Sequence, residues 1–247
     1  MYKKDFKKIL DKQKGYHISK INKKDYNLIY LIIKNHFKKL LSNSGLSTKK
    51  INFSNYAKHS NKLNHPKVFE KKNRILSLKD TNKVIESTTF IKKLKFFFPE
   101  MVITDEENLG YPNIYWRLVR PYPFKDAGPM HKDKWFWDLG SGKINEKKFQ
   151  RIKFWISIVG NIKNLGFRFV PGSADINYKY SSERRNNILK PNFDESIIKK
   201  KQIKHLKGPK GSSIIFHDEL LHAGNVLKNS SCRVSIEFTF LIYKKTN

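Results

Sequence analysis

From about residue 100 onward the chain breaks into short apolar or alternating runs: Ile114–Val119, Met130–Trp137, Ile152–Val159, Gly166–Val170, Ser212–Phe216 and Arg233–Ile242. Gly, Pro and Asn separate them, which is the pattern of a β-sandwich or barrel. Between the fourth and fifth runs lies a polar, Lys/Arg-rich insertion at 177–207 containing Ser181-Ser182-Glu183-Arg184-Arg185. A loop of that length inside a compact β domain is either disordered or a functional lid. The first hundred residues read differently. Leu28, Ile29, Ile32, Ile33, Phe37, Leu40 and Leu41 make a helical stripe over Tyr26–Leu41, closed by Ser42-Asn43-Ser44-Gly45. Pro66 suits the first position of a second helix, and Thr81 is placed to cap a third that runs to Pro99. The expectation is a mainly β, α+β protein: a basic helical region over 1–105 packing on a barrel core over 106–247.

With 38% hydrophobic and 13% aromatic residues, the 247-residue chain can bury a core, and its 29% charged residues decorate a globular protein. The net charge of +30 would ordinarily point to nucleic acid or an anionic surface. The excess is almost all Lys, accompanied by Asn and Ile, as an AT-rich genome writes into tolerant surface positions, and Arg, the better phosphate reader, is scarce. The single Cys232 excludes a disulfide framework or a multi-Cys metal site. Met1–Lys20 has no apolar stretch, so neither a signal peptide nor a membrane span is expected there, and the predicted location is cytoplasmic.

The sharpest local signal is His131-Lys132-Asp133. In a strand, residues two apart share a face, so the imidazole and the carboxylate would converge while Lys132 points away. One His from a distant strand would complete a 2-His-1-carboxylate triad, which leaves positions open on Fe(II). His217 and His222 compete for that role. His222 is preferred because the Gly224-Asn225 turn follows it and Arg233 lies eleven positions on. Arg233 and Ser235 share a face of the last run, and an inward Arg is costly to bury unless it meets an anion such as a dicarboxylate.

His-x-Asp, a later His and an Arg about ten residues beyond it resemble the motif of the Fe(II)/2-oxoglutarate oxygenases. Arg117-Leu118-Val119-Arg120-Pro121, Gly128-Pro129-Met130 before His131, Phe169-Val170-Pro171-Gly172-Ser173 and the stretch from Gly211 to Asn225 narrow the likeness to the phytanoyl-CoA dioxygenase-like superfamily. The resemblance covers about residues 110–245. It implies a double-stranded β-helix, with His131, Asp133 and His222 as iron ligands and Arg233 with Ser235 as the 2-oxoglutarate anchor. Arg117 and Lys153 are further candidates for a second anchor. The implied reaction takes 2-oxoglutarate and O2, releases succinate and CO2, and hydroxylates a C–H bond. Ala174 stands where the family usually has His after Pro-Gly-Ser, which removes a polar group on the substrate side and leaves the ligand set intact.

Trp135 and Trp137 follow Asp133 in alternation and are candidates for the wall of a substrate pocket. Arg184 and Arg185 would clamp an anionic substrate group, such as the phosphate of a sugar- or nucleotide-linked molecule. His17, His36, His59, His65 and His205 sit in Lys-rich or helical contexts and read as surface residues. Two rival functions remain. A cupin-like metal- or sugar-binding barrel without turnover has no need of Arg233, and a nucleic-acid dealkylase would carry a second Arg where this chain has Thr239.

Overall fold

The computed structural model describes residues 14–140, 148–185, 188–225 and 231–243. Its strands are β1 (Tyr16–Lys20), β2 (Val102–Ile103), β3 (Tyr115–Val119), β4 (Phe149–Val159), β5 (Phe167–Phe169) and β6 (Ser181–Arg185). They continue as β7 (Ile188–Asn192), β8 (Lys204–His205), β9 (Ser212–His217), β10 (His222–Gly224) and β11 (Arg233–Tyr243). The larger sheet runs β1-β9-β4-β11-β2, with β3 also pairing β11, and the smaller runs β10-β5-β8. All the recorded pairings are antiparallel. Together the two sheets form the expected double-stranded β-helix.

Alternation along two long strands explains how one sheet serves two purposes. On β11, Val234, Ile236, Phe238 and Phe240 enter the main apolar core, while Arg233 and Glu237 face the barrel cavity. On β4, Ile152, Phe154, Ile156 and Ile158 join the same core, and the intervening Lys153 and Trp155 line the cavity. The helices pack on the apolar face: α1 (Lys23–Asn43), α2 (Leu78–Ser87) and α3 (Thr89–Phe97). Ile29, Ile32, Ile33, Phe37 and Leu41 form the buried stripe of α1. Phe37 is fully buried among the rings of Phe53, Tyr56, Phe69 and Trp116, the last of these on β3. Burying such a side chain contributes about 2–3 kcal/mol.

The structure departs from expectation in four places. The helix expected from Thr81 to Pro99 is two helices, because Thr88 is extended (φ −89°, ψ 135°) and the buried Asp25 carboxylate accepts Thr89 N and Phe90 N, each at 3.0 Å, at the start of α3. Pro66 opens only a one-turn helix, His65–Val68. Tyr16–Lys20, inside the region read as helical, pairs in full with β9 as an edge strand. Most important, Met130–Trp137 is not a strand: His131 forms a single bridge and the chain then turns into α4 (Asp133–Asp138). The 177–207 insertion is ordered in part as a hairpin, in which β6 pairs β7.

Candidate metal centre

Because α4 begins at Asp133, strand alternation cannot account for His131 and Asp133 converging. Two other devices bring the ligands together. His131 and His222 face each other in an antiparallel bridge, exchanging both N–H···O bonds at 2.9 Å, so their side chains leave from one face. The turn into α4 at Lys132 then carries the Asp133 carboxylate to them: His131 Nε2 lies 3.8 Å from Oδ1 and His222 Nε2 lies 3.6 Å from Oδ2. A ligand atom from each residue lies within 4.8 Å of the others. Lys132, expected only to point away from the pair, is buried, and its Nζ donates to Ile176 O at 2.7 Å.

Both imidazoles are oriented for coordination. His131 Nδ1 bonds Pro129 O at 2.9 Å and His222 Nδ1 bonds Leu220 O at 2.9 Å. Each carbonyl accepts, so the proton sits on Nδ1 and the Nε2 lone pairs face the Asp133 carboxylate. Phe167 stacks on the His222 ring at 5.4 Å and Phe136 meets the His131 ring edge-on at 5.2 Å. Burial, followed by the neighbouring His222, pushes His131 down to about 4, which keeps it neutral and ready to ligate. For Asp133, burial acts to raise the pKa but is outweighed by Lys153, then His222 and His131, which hold the carboxyl below its usual range. Asp133 Oδ2 is buried without a hydrogen-bond donor. An ionised, undonated carboxylate oxygen facing two imidazole lone pairs fits a divalent cation.

The second half of the site is Arg233. It is 2% exposed, and its Nη1 donates to Ser235 Oγ at 3.4 Å while Nε and Nη2 have no hydrogen-bond partner. Burial, then Arg117, pushes the guanidinium down to about 9, leaving it charged at neutral pH. Two glycines make room for it. A Cβ at Gly166, where φ is +81°, would lie 2.0 Å from Arg233 Cδ, and one at Gly224 would lie 3.0 Å from Nη2. A buried cation with two open donor positions calls for a planar anion.

His131, Asp133, His222, Arg233, Arg117 and Lys153 line one cavity with Glu237, Trp155, Phe167 and Phe216, and its empty volume is about 490 Å³. Lys153 Nζ donates to Thr239 Oγ1 at 3.0 Å and lies 4.0 Å from both Asp133 Oδ2 and Glu106 Oε1. Arg117 Nη2 lies 3.8 Å from Glu237 Oε1. Ser235 sits beside Arg233 as a fully buried support. Other predicted site residues lie elsewhere. Trp135 is buried against Tyr180 and Phe193, and Trp137 stacks under the Arg151 guanidinium, because the helix rotates both away from the direction a strand would give them. Arg184 is exposed on the hairpin, and Arg185 is on the same strand. Glu237 was overlooked although the alternation Arg233, Ser235, Glu237 marks it as inward. His217 is a hydrogen-bonded residue at the end of β9, its Nδ1 accepting from Glu219 N at 3.1 Å. His65 is buried and His36 half-buried: His65 Nδ1 bonds Tyr56 Oη at 2.8 Å with Asp126 at 3.5 Å from Nε2, and Trp116 Nε1 donates to His36 Nδ1 at 3.2 Å.

A double-stranded β-helix with this constellation lining its cavity defines the class of iron(II)- and 2-oxoglutarate-dependent dioxygenases, and the chain is an enzyme of that class. Within it, the chain belongs to the phytanoyl-CoA dioxygenase family, whose family model matches residues 42–235. Its fold is similar to that of EvdO2 from Micromonospora carbonacea var. aurantiaca complexed with 2-oxoglutarate, at 10% identity and a TM-score of 0.64 over 98% of this chain and 91% of that one. AviO1 from Streptomyces viridochromogenes Tue57 aligns at 11% identity and a TM-score of 0.55, covering 96% and 93% of the two chains. EctD from S. alaskensis with 2-oxoglutarate and 5-hydroxyectoine aligns at 13% identity and a TM-score of 0.52, covering 92% and 72%. No curated protein sequence matches the chain. No described helix is long and apolar enough to cross a membrane.

Proposed function

We propose that the enzyme hydroxylates a C–H bond of a small polar or anionic molecule, with iron held by His131, Asp133 and His222 and 2-oxoglutarate anchored by Arg233. The observation that carries this reading is the buried Arg233 guanidinium, whose Nε and Nη2 are unpartnered while it lines the same cavity as the three ligand side chains. A metal-binding barrel without oxidative turnover gives no reason to bury that charge. When bound, the iron and its cosubstrate supply the oxidising chemistry: 2-oxoglutarate and O2 become succinate and CO2, and one oxygen atom enters the substrate C–H bond.

The chain's own residues bind, orient and exclude water. Carbonyl-tethered Nδ1 protons present both Nε2 atoms to the metal. Ser235 steadies one edge of Arg233 so that the other two donors meet a carboxylate in its plane. Lys153 offsets the charge of Asp133 and Glu106, and Arg117 beside Glu237 is placed to meet a second carboxylate or a polar substrate group. Trp155, Phe167 and Phe216 form an apolar floor that limits water at the reacting centre. Three cations and two carboxylates around one cavity favour a polar substrate over a hydrocarbon chain.

Anaerobic titration of the metal-free protein with Fe(II) and then 2-oxoglutarate tests the reading. A visible metal-to-ligand charge-transfer band is expected, lost in His131→Ala and Asp133→Ala, together with slow succinate release in air without added substrate. A wild-type protein lacking the band, or variants that keep it, would sink the assignment.

A further inference from the structure

The 177–207 insertion makes its clearest polar contact through Glu195, far from the Arg184-Arg185 pair that its sequence first brings forward. Arg168 is the middle residue of β5 and pairs with Ala223 of β10, the residue next to His222. Its guanidinium grips Glu195 in a two-pronged bond, Nη1 to Oε2 at 2.8 Å and Nη2 to Oε1 at 3.0 Å. The same Oε1 accepts the backbone N–H of Met130 at 2.6 Å, and Met130 immediately precedes His131. One carboxylate therefore joins β5, which pairs with the strand carrying His222, to the segment carrying His131. A planar guanidinium–carboxylate pair is directional as well as attractive, so it fixes relative position and not merely proximity.

The same insertion also holds the third ligand's helix. Trp135, two residues after Asp133, is buried and stacks on Tyr180 with ring centroids 4.6 Å apart, and Phe193 packs against it at 5.4 Å. Tyr180 and Phe193 flank the β6–β7 hairpin on its two sides. Contacts from this one segment thus reach the residue before His131, the helix that begins at Asp133 and the strand paired with the one carrying His222.

We propose that Glu195 is a positioning residue for the metal centre and that the insertion serves as a clamp across the ligand set. The proposal rests on the reading of His131, Asp133 and His222 as iron ligands. Outer partners that orient ligands commonly govern metal affinity by 10- to 100-fold. The test uses the full chain, metal-free and loaded. Fe(II) affinity is measured by chelator competition without 2-oxoglutarate, Co(II) visible absorption reports ligand geometry, and hydrogen exchange of the Met130 amide is followed in the metal-free protein.

Glu195→Gln keeps the shape but sets an amide N–H₂ against the Arg168 donors. It is expected to weaken Fe(II) binding about 10-fold, alter the Co(II) spectrum and speed exchange at Met130, with little change in metal-free melting temperature. Arg168→Met should do the same, and the double variant should lose no more than either single. Unchanged Fe(II) affinity and Co(II) spectrum in Glu195→Gln, while His131→Ala abolishes binding, would overturn the clamp and leave the metal site standing. A wild-type chain that binds no Fe(II) would overturn both. An affinity loss matched by a large fall in metal-free melting temperature would mark Glu195 as merely structural and also overturn the proposal.

Discussion

Gly166 tests the proposed 2-oxoglutarate anchor, Arg233, without replacing a charged group. In Gly166→Ala the new methyl would stand 2.0 Å from Arg233 Cδ at a φ of +81°, so the guanidinium must move. Calorimetry should show 2-oxoglutarate binding weakened at least 10-fold while Fe(II) affinity holds. Arg233→Met removes two charge-assisted hydrogen bonds, and a rise of about 100-fold in the 2-oxoglutarate Kd is expected by the same measurement. The candidate ligands and Arg233 were legible because few residue types do this chemistry and their order along the chain is distinctive. His65 was not: its burial depends on Tyr56 and on Asp126, which lies far along the chain with no local pattern to connect them. Cys232, the single cysteine, is 1% exposed, with burial pushing its thiol up to about 12.

Long runs with a steady period were read well. β4, β9, β11 and α1 all lie where alternation or a helical stripe put them, since burial on one face dictates the period. Short segments whose form is set by tertiary contacts were not. Asp133-Lys134-Trp135-Phe136-Trp137-Asp138 is rich in strand-favouring aromatics, yet it is α4, held by the Trp135 stack and by Lys134 N donating to Asp218 O at 3.0 Å. Trp135→Ala should therefore act on two properties. Loss of a buried Trp costs about 3–5 kcal/mol, visible in denaturant melts. Because α4 carries Asp133, Fe(II) affinity measured at a temperature where the variant is folded should also fall. The same contacts explain why the sequence leaves the insertion as either a disordered loop or a lid: neither its hairpin nor its docking on α4 follows from its polar, Lys/Arg-rich composition.

The boundary placed near residue 105 describes a change of texture, and the core runs across it. Ile29, Phe37, Leu76 and Val84 share one apolar cluster with Trp116, Phe154 and Phe238, and β1 and β2 pair with strands beyond residue 200. A chain comprising residues 106–247 alone should show no cooperative thermal transition by circular dichroism. Stability should also fall in mild acid. Burial, partly opposed by Asp126, pushes His65 down to about 4 in the folded protein, whereas the unfolded chain takes up that proton near 6.5. The unfolded state thus binds more protons between those values, and stability declines as pH drops from about 6.5 toward 4, by about 3 kcal/mol at the lower end. His65→Gln cannot titrate, so its melting temperature should vary less with pH across that window.

The mutual hydrogen bonds between His131 and His222 also bear on how the enzyme lives with its metal. Both imidazoles descend from facing positions of one antiparallel pair, so a slip of a single residue would turn one of them away from the other. The pair owes its alignment to backbone amides and carbonyls that are not themselves candidate ligands. Stripping and reloading should therefore be reversible cycles of one preassembled socket, and occupancy will follow the supply of metal instead of the history of folding.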